Sequence, residues 1–134
     1  MALQFSVAAR NGMLDAIETA GGTSIRLKGW SGSAPANCAA ADSGSLCFDI
    51  TCPSDWMNAA SSGTKTLLGT WADTSADGTF TCAHFRAYTS GGTCFMQGTV
   101  TASGNGGDIT LDDITVVAGQ TVTITSFTLT GPGV

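Results

Sequence analysis

Few side chains in this 134-residue chain are of the types that do acid–base or nucleophilic chemistry. His84 is the single histidine, so every histidine-dependent triad or multi-histidine metal site would rest on one side chain. It stands in an alternating run beside Arg86, and the sequence places no Cys, Asp or Glu to complete a triad with it. We therefore interpret His84 as a histidine on the wetter face of a surface strand, and we predict that the chain is not an enzyme.

Two groups of aspartates are the candidates for a metal site. Asp73 and Asp77 lie in WADTSADGT, and Asp108, Asp112 and Asp113 lie in GGDITLDD. Carboxylate oxygens suit a calcium ion, but the spacing does not match an EF-hand loop. Aspartate is also a common turn residue, because its side chain accepts a hydrogen bond from the backbone just ahead of it. We predict turns at these positions, with no metal and no cofactor.

Three tryptophans, Trp30, Trp56 and Trp71, are the candidates for a ligand platform. Stacked on a β-rich body they would suit a carbohydrate-binding or host-surface-binding module, a role suggested by fold analogy alone. They stand in three separate segments, however, and tryptophan is usually buried in cores or interfaces. Core packing is the favoured interpretation, and the sugar-binding module is kept as an alternative.

The cysteines indicate reduced thiols. Their number is odd and none stands in a CxxC pair, which argues against a secreted disulfide framework and against a common zinc module. We interpret them as small buried hydrophobes and keep one surface disulfide as an alternative. The five are Cys38, Cys47, Cys52, Cys82 and Cys94.

The balance of charge predicts one compact, mildly acidic domain over residues 1–134. Charged residues make up 11% of the chain and hydrophobic residues 43%, which is typical of a folded body. The net charge is -5 and the five Lys and Arg are scattered, so we expect no nucleic-acid partner. No apolar run approaches the roughly 20 residues that cross a bilayer, so we expect no membrane partner. The start MALQFSVAAR lacks the features of an export signal, which predicts synthesis in a cytoplasm.

One helix is predicted at about residues 6–20. Ser6 can cap its first turn, and the pair Gly21 and Gly22 can end it. Its apolar side consists of Val7, Leu14 and Ile17.

Short alternating runs fill the remainder, at about residues 23–130, and they predict an antiparallel β-sandwich or jelly roll. The most legible hairpin has Gly91 and Gly92 as its two turn residues. Counting outward pairs Phe85 with Gly98, Ala87 with Met96 and Ala83 with Val100 on a dry face, and pairs Arg86 with Gln97 and His84 with Thr99 on a wet face. The segment GNGG, residues 104–107, is predicted to be another hairpin turn.

Within the closing segment TVTITSFTLT, the alternation of apolar and polar residues shifts by one position. Val122 and Ile124 are even, whereas the next apolar residues, Phe127 and Leu129, are odd, so a single regular strand would turn them to opposite faces. Either a β-bulge at residues 125–126 returns them to one core, or the chain leaves its own sheet there. In the second case Phe127 and Leu129 would face the helix or a neighbouring subunit.

Several blocks of the sequence together resemble a family of small proteins from tailed bacteriophages and prophages. They are MALQFSVAARNGMLDAIETA, SGSAPANCAAADSG, PSDWM, GTWADTSADGT, AHFR and QGTVTASGNGGDITLD, and they run from residue 1 to about residue 130. Members are similar in size and style to head decoration, or cement, proteins. The resemblance implies a β-rich virion protein on the capsid exterior, made in the host cytoplasm, with the major capsid protein or copies of itself as partners. It implies no catalytic residues, and a tail or neck component is the alternative.

The expected function is therefore contact with another protein surface. The residues predicted to form that interface are Val7, Leu14, Ile17, Trp30, Trp56, Phe127 and Leu129.

Overall fold

The computed structural model describes residues 2–134 and contains one helix followed by ten strands in that range. This confirms a mainly β chain with one N-terminal helix. The elements are α1 (Val7–Gly21), β1 (Arg26–Ser31), β2 (Leu46–Thr51), β3 (Thr64–Thr66), β4 (Trp71–Asp73), β5 (Phe80–Tyr88), β6 (Cys94–Ala102), β7 (Ile109–Leu111), β8 (Thr115–Val116), β9 (Val122–Ile124) and β10 (Thr128–Thr130).

The strands form a curled six-stranded sheet and two small two-stranded sheets. The large sheet has the order β2-β1-β5-β6-β7, with β8 paired to the start of β5. The small sheets pair β10 with β3 and β4 with β9. The large sheet is mixed, because β6 and β7 run parallel. The sequence analysis expected an antiparallel β-sandwich or jelly roll. Because the large sheet is mixed, the arrangement is not purely antiparallel, and it is not clearly a sandwich or a jelly roll.

The parallel pair explains why GNGG is not a hairpin turn. Residues 103–108 carry the chain back beside β6, so that Val100 pairs with Ile109. Parallel strands usually need a long crossover, but this return covers only about two residues of strand, roughly 7 Å. Gly104 and Gly106 have positive φ values of 88° and 76°, a left-handed conformation that glycine adopts at little cost and that lets this short segment turn back.

The helix follows the sequence prediction closely. The Ser6 hydroxyl accepts a hydrogen bond from the Ala9 amide at 3.1 Å, and the helix ends at Gly21. Gly22 has a φ of 76°, and its amide bonds to the Glu18 carbonyl. A side chain at Gly21 would collide with the rings of Phe95 and Trp56, so this glycine also allows the helix to lie close against the core.

The central hairpin has the predicted register but a different turn. Phe85 pairs with Gly98 and His84 with Thr99, as counted from the sequence. The turn contains three residues, 90–92, rather than two, since the Thr89 amide bonds to the Thr93 carbonyl. An extra residue at Phe95 compensates, because the register shifts between the pairs Ala87–Met96 and Tyr88–Cys94.

One cluster of buried side chains joins the large sheet to the two small ones. A chain of aromatic contacts runs through it, with ring centroids about 6 Å apart: Phe85 to Phe127 at 6.1 Å, Phe127 to Trp71 at 5.6 Å, Trp71 to Trp56 at 6.1 Å and Trp56 to Phe95 at 5.9 Å. These separations are those of favourable aromatic pairs. The core interpretation of the tryptophans is thus confirmed for Trp56 and Trp71.

The predicted wet face of β5 is wrong. His84 and Arg86 are each only 1% exposed, because residues 32–45 fold over that face. We call this segment the capping loop. The His84 ring nitrogen Nδ1 lies 2.8 Å from the Gly32 carbonyl oxygen, and Gln97 donates to the Pro35 carbonyl oxygen at 2.8 Å.

Arg86 makes the largest set of contacts with the capping loop. Its Nη1 pairs with the Asp42 carboxylate. Its Nη2 donates to the carbonyl oxygens of Asn37, Cys38 and Ala40 at 3.3, 2.9 and 3.0 Å. A guanidinium presents five donors in a rigid fork, so one side chain can bind several backbone carbonyl oxygens at once. Arg86 therefore fixes the loop onto the sheet.

The phase change in the closing segment is a change of sheet. Residues 122–124 form β9 beside β4, and residues 128–130 form β10 beside β3. Phe127 lies between these strands, is 4% exposed, and packs in the same core as Val122 and Ile124. Leu129 is half-buried against that core. Neither expectation holds as stated. The predicted bulge is not present, because residues 122–124 and 128–130 belong to two different strands. Phe127 nevertheless packs in the chain's own core and does not face a neighbouring subunit.

We expect Phe127→Ala to lower the free energy of unfolding by about 3–5 kcal/mol, because it removes a ring from a packed aromatic chain. Urea unfolding followed by tryptophan fluorescence measures this change. The matched control is Leu129→Ala in the neighbouring strand, where the side chain is only half-buried and the loss is smaller. A Phe127→Ala cost no larger than that of Leu129→Ala would contradict this placement.

Candidate functional site

The side chains suspected of chemistry are engaged in the fold. His84 faces the capping loop, and among residues 2–134 no carboxylate hydrogen-bonds its ring. The Asp73 and Asp113 carboxylates accept the amides of Ser75 and Thr115, each two residues ahead, at 2.9 Å. The turn interpretation is confirmed at both positions. In the described range no group of three or more His, Cys, Asp or Glu could hold a metal ion.

The other aspartates also meet the backbone or each other. Asp108 accepts from both the amide and the hydroxyl of Thr99, at 2.9 and 3.0 Å. Asp77 lies near Asp73 and Asp49. Burial, and next the negative charges of those two carboxylates, raise the pKa of Asp77. Ser103 donates to Asp112 at 3.5 Å. No arrangement of an acid beside a base and a nucleophile emerges from these contacts.

All five cations have partners within the chain. Arg10 donates to the Gly131 carbonyl from Nε at 3.2 Å and from Nη2 at 3.1 Å. Arg26 pairs with the Asp49 carboxylate. Lys28 lies over the Tyr88 ring, 5.2 Å from its centroid. With Lys65 and Arg86 paired to carboxylates as well, no cluster of free Lys or Arg side chains stands on the surface formed by residues 2–134.

Lys65 fastens the helix to β3. Its ammonium group lies 2.7 Å from a carboxylate oxygen of Asp15 and 2.7 Å from one of Glu18, and the lysine side chain is only 1% exposed. Burial alone would lower the pKa of Lys65, but the hydrogen bonds that its ammonium group donates to the two carboxylates, together with their negative charges, outweigh burial and raise the pKa. The same contact lowers the pKa of Asp15.

A surface recess of about 560 Å³ opens beside this ion pair. Asp15, Glu18 and Asp55 line it together with Lys65. Two of its carboxylates already neutralise the lysine, so the recess does not contain a free acid–base pair. Its residues serve to hold the helix.

Four exposed apolar side chains near the two ends of the described chain are the remaining candidate for a functional surface. Leu3, Phe5 and Val7 are 76%, 40% and 52% exposed, and Val134 is 79% exposed. The Phe5 amide donates to the Gly133 carbonyl at 2.9 Å, which brings the two ends of the described chain together. We call Leu3, Phe5, Val7 and Val134 the apolar end face. Exposed large apolar side chains gathered at one place are typical of an interaction surface.

The residues that the sequence predicted for an interface are distributed differently. Val7 is exposed, and Ile17, Trp30 and Leu129 are half-buried. Leu14, Trp56 and Phe127 lie in the chain's own interior, at 2%, 0% and 4% exposure.

The sequence analysis did not single out Leu3, Phe5 or Val134. They stand outside any periodic element, so nothing in the pattern distinguishes an exposed apolar side chain from a buried one.

Comparison with known proteins identifies no relative: no protein-family profile, no curated protein and no solved structure matches the chain. In the described part of the chain, no helix is both long enough and apolar enough to cross a membrane.

We expect removal of both acidic partners of Lys65, by Asp15→Asn with Glu18→Gln, to destabilise the protein at pH 7. The double change leaves a buried ammonium group with amide oxygens in place of carboxylates, and an unpaired buried charge is unfavourable. The urea midpoint measures the loss, and Asp55→Asn in the same recess is the matched control. An equal midpoint in the double variant and the control would contradict the role of this ion pair.

The pH dependence of the wild-type protein follows from the same contacts. Because the folded-state pKa of Asp15 is lowered, its contribution is present above its unfolded pKa, about 3.9, and is lost as the pH falls through the folded value. Because the pKa of Lys65 is raised, its contribution is complete below about 10.4 and is lost as the pH rises beyond. In the Asp15→Asn variant, the urea midpoint should therefore decrease less at acidic pH than it does in the wild-type protein.

Proposed function

We propose that this chain is a structural protein of a tailed-bacteriophage virion, namely a decoration protein that binds the exterior of the capsid shell and stabilises it by non-covalent contacts. The observation that carries the proposal is the apolar end face, on a body whose cations are all engaged internally. The resemblance of the sequence to small phage proteins supports it. The chain would be made in the host cytoplasm, with the major capsid protein or copies of itself as partners.

The apolar end face has the character of the centre of an interface. Burying a side chain such as Phe5 fully contributes about 1.5–3 kcal/mol, so a few such residues can dominate an affinity. The helix also exposes three small uncharged side chains, Ala8, Ala9 and Ala16. Small side chains of this kind allow the close approach that a protein lattice requires.

Repetition on a lattice would compensate for a modest contact. A specific interface usually covers about 800 Å² on each partner, and four side chains supply only part of that. A partner that binds the folded chain also stabilises it by mass action. A protein present in many copies along a shell therefore needs no large contact in each copy.

The alternative location is a tail or neck, where the same face would serve. The two locations differ in copy number, because decoration requires copies on the scale of the shell's own subunits. A carbohydrate platform built from the three tryptophans receives no support, since Trp56 and Trp71 are inside the core.

Binding of the purified chain to undecorated shells of its phage, measured by co-sedimentation, tests the proposal. We expect Phe5→Ser with Val7→Ser to weaken binding at least about tenfold, since the two changes together remove more than about 1.4 kcal/mol of apolar burial. The matched control is Phe80→Ser with Val117→Ser, because Phe80 and Val117 are 41% and 49% exposed elsewhere on the surface. Circular dichroism checks that both variants fold.

Three results would count against the proposal. Equal binding by the two double variants would remove the apolar end face from the contact. Absence of the chain from purified phage particles, by mass spectrometry, would remove the virion role altogether. Presence at only a few copies per particle would move the chain to the tail or neck.

A further inference from the structure

Four of the five cysteines stand in two pairs that the sequence spacing conceals. Cys47 and Cys82 lie together in the core, at 0% and 1% exposure. Cys38 and Cys94 are both half-buried. Cys52 is buried away from the others, and this burial raises its pKa to about 12. The accessible pair, Cys38 and Cys94, belongs to neither the apolar end face nor the helix contacts.

Cys38 and Cys94 are held by adjacent parts of β5. The Cys38 carbonyl accepts a hydrogen bond from Arg86 Nη2 at 2.9 Å, which fixes the capping loop at this residue. Cys94 pairs with Tyr88 across the hairpin. Both cysteines line one open recess of about 190 Å³, together with Asp42 and Arg86. The Cys94 thiol lies against the Cys38 thiol and donates weakly to the Met96 carbonyl at 3.5 Å.

We propose that Cys38 and Cys94 are a modification site at which a low-molecular-weight disulfide oxidises the two thiols to a protein disulfide. The new bond fastens the capping loop to β6. It adds a covalent connection to the place where Arg86 already holds the loop by hydrogen bonds.

The chemistry is a pair of thiol–disulfide exchanges. The Cys38 thiolate attacks one sulfur of the small disulfide, a mixed disulfide forms, and the first small thiolate leaves with the proton that Cys38 lost. Cys94 then loses its proton and attacks the Cys38 sulfur, so that the protein disulfide forms and the second small thiolate leaves protonated. The two protein thiols give up two electrons and the small disulfide gains them, becoming two thiols.

The order of attack follows from the surroundings of Cys94. Burial, and next the neighbouring Cys38 thiol, raise the pKa of Cys94 to about 11, so little thiolate exists there near neutral pH. Thiolate is the attacking species, so attack by Cys94 is slow near neutral pH. Conversion of Cys38 to a mixed disulfide removes that neighbouring thiol. Cys94 therefore acts second, as the resolving thiol, and the reaction accelerates as the pH rises.

The buried pair provides an internal comparison within the same chain. Cys47 and Cys82 also lie together, but the core excludes a small disulfide from both of them. Contact with the Cys47 thiol, and next burial, raise the pKa of Cys82 strongly. Proximity alone would oxidise both pairs, whereas proximity with access oxidises only Cys38 and Cys94.

The test treats the folded full chain with oxidised glutathione at several pH values. We expect the intact mass to fall by two hydrogen atoms and peptide mapping to find one crosslink, between Cys38 and Cys94. The melting temperature of the oxidised protein should rise by on the order of 10 °C, because the bond closes a long loop of the unfolded chain. Cys38→Ser and Cys94→Ser should each abolish the crosslink, whereas Cys52→Ser, the control, should retain it.

Each alternative outcome overturns the inference. A stable glutathione adduct on Cys38 in the wild-type protein would show that Cys94 cannot reach it. An unchanged mass would show that the recess does not admit the oxidant. A Cys47–Cys82 crosslink in place of the expected one would show that access does not decide the reaction. Because Cys38 and Cys94 are only half-buried, circular dichroism of the serine variants should match that of the wild type.

Discussion

The structure depends most on one buried cation, Arg86, on the outer face of the central strand β5. That position alternates with core residues, so an ordinary half-exposed sheet would leave the guanidinium in water. Here the capping loop encloses it with three carbonyl oxygens and the Asp42 carboxylate. The contact works in both directions: the loop satisfies the charge, and the charge gives an otherwise featureless run of small residues one conformation. Both faces of β5 are thereby covered.

The same device holds the helix. Lys65 pairs with two carboxylates of the helix, and Arg10 of the helix donates hydrogen bonds to the Gly131 carbonyl. Long cationic side chains thus join the capping loop and the helix to the rest of the fold. This use of charge is consistent with the low charge content of the chain, and it leaves the apolar end face as its most distinctive surface. Contact with another protein is the role that we propose for this surface.

The elements that were predictable from the sequence are those with local signals. The cap at Ser6, the glycines that end the helix, and the pairing of Phe85 with Gly98 follow from spacing and turn chemistry. The capping loop was not predictable, because its ligands to Arg86 are mostly backbone carbonyls, which every residue has. Short strands such as β3 and β4 carry too few residues to show a period. Exposure of Leu3 and Phe5 depends on what the rest of the chain leaves uncovered.

Hydrogen exchange of the Arg86→Lys variant, followed by mass spectrometry, tests the central claim most directly. Lysine keeps the charge but loses the fork that binds three carbonyls, and each such bond contributes about 1.5–3 kcal/mol. The account predicts that amides of residues 32–45 exchange at least about tenfold faster, whereas the β5–β6 core keeps its protection and Arg26→Lys leaves the loop unchanged. Unchanged exchange in residues 32–45 of Arg86→Lys would contradict it.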